Sequence, residues 1–241
     1  MCGEPLQEFS RIPVCSKYLT EPVPLIAEYF CVACRMPFVN RFPLDETGRC
    51  ALCRLGLRGF DAVYSYGSYE GALRQLVHLF KYAGVRPLAG TFGRFLAQAL
   101  PRETTFDVIV PMPLHWFKKW QRGFNQSDDL AREVGKKWNV PVRSVIRRKK
   151  ATRPQAGLTN ARRRANMQGA FQIAGKKVMR GKPLAGMRVL LVDDVVTTGA
   201  TASACARVLK RAGAAHVALL ALARTDRRQA VELSFTAGGH A

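Results

Sequence analysis

Two groups of residues in the 241-residue sequence have the types and spacing for chemistry. The first is Asp193-Asp194-Val-Val-Thr197-Thr198-Gly199-Ala200-Thr201, two adjacent carboxylates followed by hydroxyl side chains around a glycine. Such a turn can hold an anion, because a glycine lets the main chain approach a phosphate closely and a helix beginning there presents N–H groups. The acids are badly placed to meet phosphate themselves. They suit hydrogen bonds from vicinal sugar hydroxyls, or a place near a magnesium ion. A ligand with a phosphate at one end and a diol at the other meets both demands, and a ribose 5-phosphate has that shape. An ordinary capped helix would need one acid or hydroxyl rather than the whole series.

The second group is Cys31-Val-Ala-Cys34 and Cys50-Ala-Leu-Cys53, separated by 15 residues. Each CxxC places two thiolates on one metal, and two together supply the four soft ligands of a closed tetrahedral site, the spacing of structural Zn(II). A closed site leaves no open position, so no catalysis is assigned to it. The bland alternative is four reduced cysteines packed as small apolar side chains. Cys2 and Cys15 have no second CxxC and read as free thiols.

Positioning these groups requires a particular order of elements. Residues 189–192 form an unbroken Val/Leu run, short enough to be a strand buried on both faces of a parallel sheet and ended by the two acids. Beyond the phosphate turn, Ala202, Cys205, Val208, Leu209 and Ala212 fall at helical spacing, with Gly213 as the stop. Upstream, residues 60–69 alternate like a strand, and Leu73, Leu76, Val77 and Phe80 make one face of a helix running into Lys81. Lys81 could be no more than a helix C-terminal cation. A second helix is predicted over about residues 86–100. Residues 106–113 read as a strand closed by Pro111 and Pro113, which cannot continue a ladder. The following loop carries Lys118, Lys119 and Arg122, then Gly123, Phe124, Asn125 and Gln126, before a helix opens near Ser127 with Leu130, Val134 and Trp138 on one face. Strand, basic loop and helix make a second anion site at a strand's carboxyl end. Residues 216–223 read as a last buried strand, and residues 1–25, with Pro13, Pro22 and Pro24, as an irregular lead. The alternation predicts an α/β parallel sheet flanked by helices.

Composition bounds the reading. A hydrophobic content of 48% supplies a real core, and no apolar run approaches the ~18 residues of a membrane span. Without a basic start and apolar core at the N-terminus, the chain is expected to be cytoplasmic, where seven cysteines point to metal rather than disulfides. The net charge of +21 is uneven: residues 115–182 hold 19 Lys and Arg against Asp128, Asp129 and Glu133, which is +16 of the total. That field draws polyanions such as diphosphates, nucleotides or nucleic acid, unless it is simply a solvated face. No Ser/His/Asp or HExxH arrangement is evident.

The run over 189–201 closely resembles the phosphoribosyl diphosphate (PRPP) signature of type I phosphoribosyltransferases. Together with the CxxC pair and V-P-M-P-L-(x7)-R-G-F-N-Q, it is similar to the ComF/GntX family of phosphoribosyltransferase-like proteins over roughly residues 31–224. The resemblance implies a type I phosphoribosyltransferase-like sheet at 59–241 behind a four-cysteine zinc module at 1–58. It implies contacts from Asp193 and Asp194 to the ribose hydroxyls, and from Thr197, Thr198, Gly199, Ala200 and Thr201 to the 5-phosphate. Pyrophosphate and lid contacts are implied for Lys81, within F-K-Y-x-G, for Arg122, Gly123, Asn125 and Gln126, and for Thr152, Gln155 and Arg162 on a basic loop closing over PRPP bound with magnesium. Lysines at 118 and 119 stand where the family usually has arginines, so bidentate recognition is lost there. No segment spells out a purine or pyrimidine pocket, so the acceptor stays open, as does the oligomeric state. The family's association with DNA uptake offers the alternative of a binding protein whose basic 115–182 strip engages single-stranded DNA.

Overall fold

The structure, a computed structural model, describes residues 11–38, 40–42, 44–54, 59–114, 120–148, 169–174, 183–197 and 199–225. Along the chain these form α1 (Ser16–Thr20), β1 (Tyr29–Phe30), β2 (Pro37–Phe38), α2 (Ala51–Arg54), β3 (Ala62–Ser68), α3 (Gly71–Tyr82), α4 (Leu88–Ala99), β4 (Val108–Pro111), α5 (Gln126–Trp138), β5 (Ile146–Arg148), β6 (Phe171–Ile173), β7 (Arg188–Val196), α6 (Ala200–Arg211) and β8 (His216–Arg224). The main sheet has the order β3-β8-β7-β4 with every pairing parallel. Residues 189–192 of β7 and 217–223 of β8 are continuous apolar runs because both faces of the sheet are covered there. On one face Leu190, Val192, Leu220 and Leu222 pack against Leu76 and Phe80 of α3, Phe92 of α4 and Leu130 of α5. On the other, Val189, Leu191, Val217 and Leu219 meet Cys205 and Leu209 of α6, Ile146 and Phe171 of the β5–β6 pair, and Cys31, Met36 and Phe38 of the cysteine module.

Both edge strands are fastened at their amino ends by the same device. Asp61 donates its N–H to the Val217 carbonyl at 2.7 Å and accepts the Val217 N–H on Oδ2 at 2.7 Å. Asp107 repeats this with Arg188, at 2.9 and 2.7 Å. Each follows a buried phenylalanine, Phe60 or Phe106, that anchors the turn. At the other end β4 stops at Pro111, as the prolines predict, and the Met112 N–H makes a last bond to Val192 at 2.8 Å.

Three expectations change. The acids do not end β7: the strand runs through them to Val196, because Ala221, Ala223 and Arg224 of β8 continue the ladder opposite Asp193, Val195 and Val196. The lead is not wholly irregular, since α1 forms in it and Pro22 accepts a 2.8 Å bond from the buried Tyr66 hydroxyl, strapping the segment across β3. The short antiparallel pair β5–β6 was not foreseen; it joins Arg148 to Phe171 at the two ends of the basic loop. Thr152, Gln155, Arg162, Thr198, Lys118, Lys119 and Cys2 lie outside the described residues. Among the described residues no helix is long and apolar enough to cross a membrane.

Candidate functional site

β7 carries Asp193 and Asp194 to the carboxyl end of the sheet, where open α/β sheets hold ligands. Asp194 Oδ1 lies 2.8 Å from Lys81 Nζ in the last turn of α3, and both side chains are 13% exposed. Asp193 Oδ1 accepts from the Ser127 hydroxyl at 3.2 Å and from the Asp194 N–H at 2.9 Å. Burial disfavours the charge on Asp193 and the neighbouring Asp194 adds to it, lifting its pKa to about 7 against the pull of the Asp194 N–H, Lys81 and Ser127. Each acid thus has one carboxylate oxygen engaged from inside the fold.

The chain turns immediately beyond. Thr197 is exposed, and Gly199 takes the left-handed φ of 71°, a conformation that favours glycine, as the N-cap of α6. The Gly199 carbonyl closes the first turn by accepting the Ser203 N–H at 2.8 Å. Thr197, Gly199, Ala200 and Thr201 are therefore gathered at a helix N-terminus directly after the acids, where the helix dipole favours an anion.

The F-K-Y-x-G and R-G-F-N-Q segments interlock residue by residue. Phe80 meets Phe124 edge-on at 5.6 Å between ring centres. The Arg122 guanidinium lies 4.9 Å over the Tyr82 ring, reaches its hydroxyl at 3.4 Å and donates to Gln126 Oε1 at 3.1 Å. Gly123 turns the loop with φ of 76°, and Asn125 Nδ2 donates to the Met112 carbonyl at 3.1 Å, tying the loop's end to its start. Gln126 is 1% exposed, and its Nε2 finds no hydrogen-bond partner among the described residues. Arg122 is thereby held against Tyr82, the residue after Lys81, whereas Asn125 and Gln126 are turned to holding the loop. Sequence reasoning missed Tyr82 and Ser127, whose only signal was adjacency to Lys81 and Gln126, and missed the partner of Lys81.

The model of the phosphoribosyl transferase domain matches residues 121–235. Competence protein F of Haemophilus influenzae is 30% identical over 182 residues, spanning 73% of this chain and 78% of that protein. The DNA utilization protein YhgH of Salmonella typhimurium is 32% identical over 237 residues, spanning 93% and 96%. The chain belongs to the ComF family of phosphoribosyltransferase-like proteins. Among solved structures, an orotate phosphoribosyltransferase of Mycobacterium tuberculosis aligns over 65% of the ComF-family chain and 73% of its own, at 16% identity and a TM-score of 0.35.

The cysteines of this ComF-family protein converge as their spacing predicts. The Sγ atoms of Cys31, Cys34, Cys50 and Cys53 lie within 4.8 Å of one another, and those of Cys34 and Cys50 are 3.7 Å apart. Tetrahedral Zn–S bonds of ~2.3 Å put sulfurs about 3.8 Å apart, so the set fits zinc. Their acidities fit as well. The Cys34 thiol, hydrogen-bonded to Cys50 and buried, is pushed far above its ordinary value, while Cys50, sharing that bond, is held down to about 5. Burial lifts Cys53 to about 12. Thiols as hard to ionise as Cys34 and Cys53 become thiolates only beside a cation. The module also reaches the sheet, where Phe38 of β2 lies 3.9 Å beneath the guanidinium of Arg224 at the end of β8.

Proposed function

We propose that this protein binds PRPP with magnesium and passes its phosphoribosyl group to an acceptor as pyrophosphate leaves, in the handling of DNA that the names of its relatives describe. The observation that carries the reading is the continuity of β7 and α6: two acids, one of them lifted toward neutral pH, run directly into a left-handed glycine and a helix N-terminus. Asp193 and Asp194 accept hydrogen bonds from the ribose hydroxyls, and Thr197 to Thr201 hold the 5-phosphate. Lys81 and Arg122 face the diphosphate, with Asn125 and Gln126 holding the Arg122 loop in shape. Thr152, Gln155 and Arg162 belong to a basic segment whose two ends are clasped by β5–β6, and that segment closes over the ligand to exclude water. The two carboxylates are hard oxygen donors of the kind magnesium takes alongside substrate phosphates, and the ion supplies charge neutralisation for the departing pyrophosphate. Catalysis of this type is mostly positioning.

Titration calorimetry with PRPP, with and without magnesium, tests the reading. Tight magnesium-dependent binding supports it and justifies screening bases for pyrophosphate release; no binding by folded protein overturns it. The +16 of residues 115–182 favours one other reading, a protein of this fold that binds single-stranded DNA without group transfer. On that reading DNA affinity falls steeply with salt and with replacement of Arg162, Arg163 and Arg164, and insensitivity to both excludes it. We also propose that the cysteine cluster holds structural zinc: elemental analysis of about one zinc per chain, with loss of fold on chelation, is the expected result.

A further inference from the structure

The pair Lys81–Asp194 is more than a strut. Four apolar side chains, Leu73, Leu76, Val77 and Phe80, already fix α3 to the sheet, all of them buried. The ammonium instead reaches past the end of that face to a carboxylate at the ligand end of β7, at 2.8 Å, with both groups 13% exposed. Holding two opposite charges so far out of water is costly, and removing one partner leaves the other uncompensated. Two adjacent aspartates are otherwise the ligand set that a divalent cation seeks. Among the described residues, Lys81 is the cation in ion-pair contact with Asp194. Asp193 is held by Ser127 and the Asp194 N–H, and the Arg122 guanidinium is engaged by Tyr82 and Gln126. Lys81 is thus the cation that balances Asp194.

We infer that Lys81 is a built-in counter-ion that keeps divalent metal off the Asp193–Asp194 pair and surrenders Asp194 only when an anionic diphosphate offers the ammonium a second partner. The protein then takes up metal together with its ligand rather than ahead of it. The release half of this inference rests on the phosphoribosyl reading above; the exclusion half does not.

Mn²⁺ titration of the zinc-loaded full chain, followed by the paramagnetic resonance of free Mn²⁺ in the absence of PRPP, tests the exclusion. Lys81→Met is expected to bind Mn²⁺ at least about tenfold more tightly than the unaltered protein. Lys81→Arg, which keeps the charge, is expected to match the unaltered protein, and Lys81→Met with Asp194→Asn to lose the gain. Lys81→Gln provides the neutral comparison if Lys81→Met melts early. Equal Mn²⁺ affinity in the neutral variants and the unaltered protein overturns the inference, as does a gain that survives Asp194→Asn. PRPP calorimetry on the same samples tests the release: Lys81→Met is expected to bind PRPP more weakly while binding Mn²⁺ more tightly. Unaltered protein that binds no PRPP refutes the phosphoribosyl reading alone, and the Mn²⁺ comparison still decides the role of Lys81.

Discussion

Asp61 and Asp107 at the amino end of the sheet each exchange two hydrogen bonds with a central strand, and Asp61 also meets Lys210 Nζ at 2.6 Å. Burial alone would raise the pKa of Asp61, but Lys210 and the Val217 N–H overcome it and hold the carboxyl below its usual value. Asp193 at the carboxyl end has the opposite balance: burial and Asp194 outweigh its donors and lift it to about 7. The same residue type is spent on fastening strands at one end and kept under strain of charge at the other. On the phosphoribosyl reading proposed above, that electrostatic cost lies at the end of the sheet that takes the ligand.

The largest effect that would break this contrast is on ligand binding. Asp193→Asn with Asp194→Asn should lower PRPP affinity at least ~100-fold with the fold intact, a loss of about 2.7 kcal/mol. Asp61→Asn, at the far end, should leave it unchanged. Calorimetry on both variants checks this, and equal losses would mean that the two ends are not functionally distinct.

Stability should move in opposite directions. A carboxyl whose folded pKa is raised stabilises the fold while protonated, and that stability is lost as pH rises through about 7. Asp193→Asn removes a charge that the fold carries at high pH, so at pH 8 it should stabilise the ligand-free protein by up to about 3 kcal/mol and at pH 5 far less. Thermal melts at the two pH values read the difference directly. A variant that melts lower at pH 8 would show that Asp193 is stabilised, not stressed, by its surroundings.

How much of this was legible in the sequence depends on the range of the interaction. The Val/Leu run before the acids, the apolar face of α3 and the prolines closing β4 are local patterns, and the structure follows them. The continuation of β7 through Asp193 and Asp194 was hidden because two charges interrupt a buried-strand pattern; what carries the strand on is the small-residue ladder of β8, on another segment. Strands β5 and β6 have three residues each, too few for a period to declare itself, and their pairing joins segments on either side of residues 149–168. Lys81 could be read as a helix-end cation from its position, but its partner sits on a strand far along the chain. The interlock of Tyr82 with Arg122 is likewise tertiary, although the two motifs that contain them were each visible.

The smallest expected effect concerns Asp61. Replacing it by Asn removes the charge that meets Lys210 and weakens the bond to Val217, and should lower stability by about 1 kcal/mol at neutral pH. Asp61 has a depressed folded pKa, so its contribution is fully present above the unfolded value of ~3.9 and fades as pH falls through the folded one. The other groups facing it are Lys210, positive throughout this range, and His216, whose Nδ1 is 3.8 Å away and whose pKa is lowered, by burial first. The gap in melting temperature between the unaltered protein and Asp61→Asn should therefore hold steady from pH 7 to about 5 and close below about pH 4. A gap that widens on acidification would show that His216, and not the carboxylate's own proton, governs this end of the sheet.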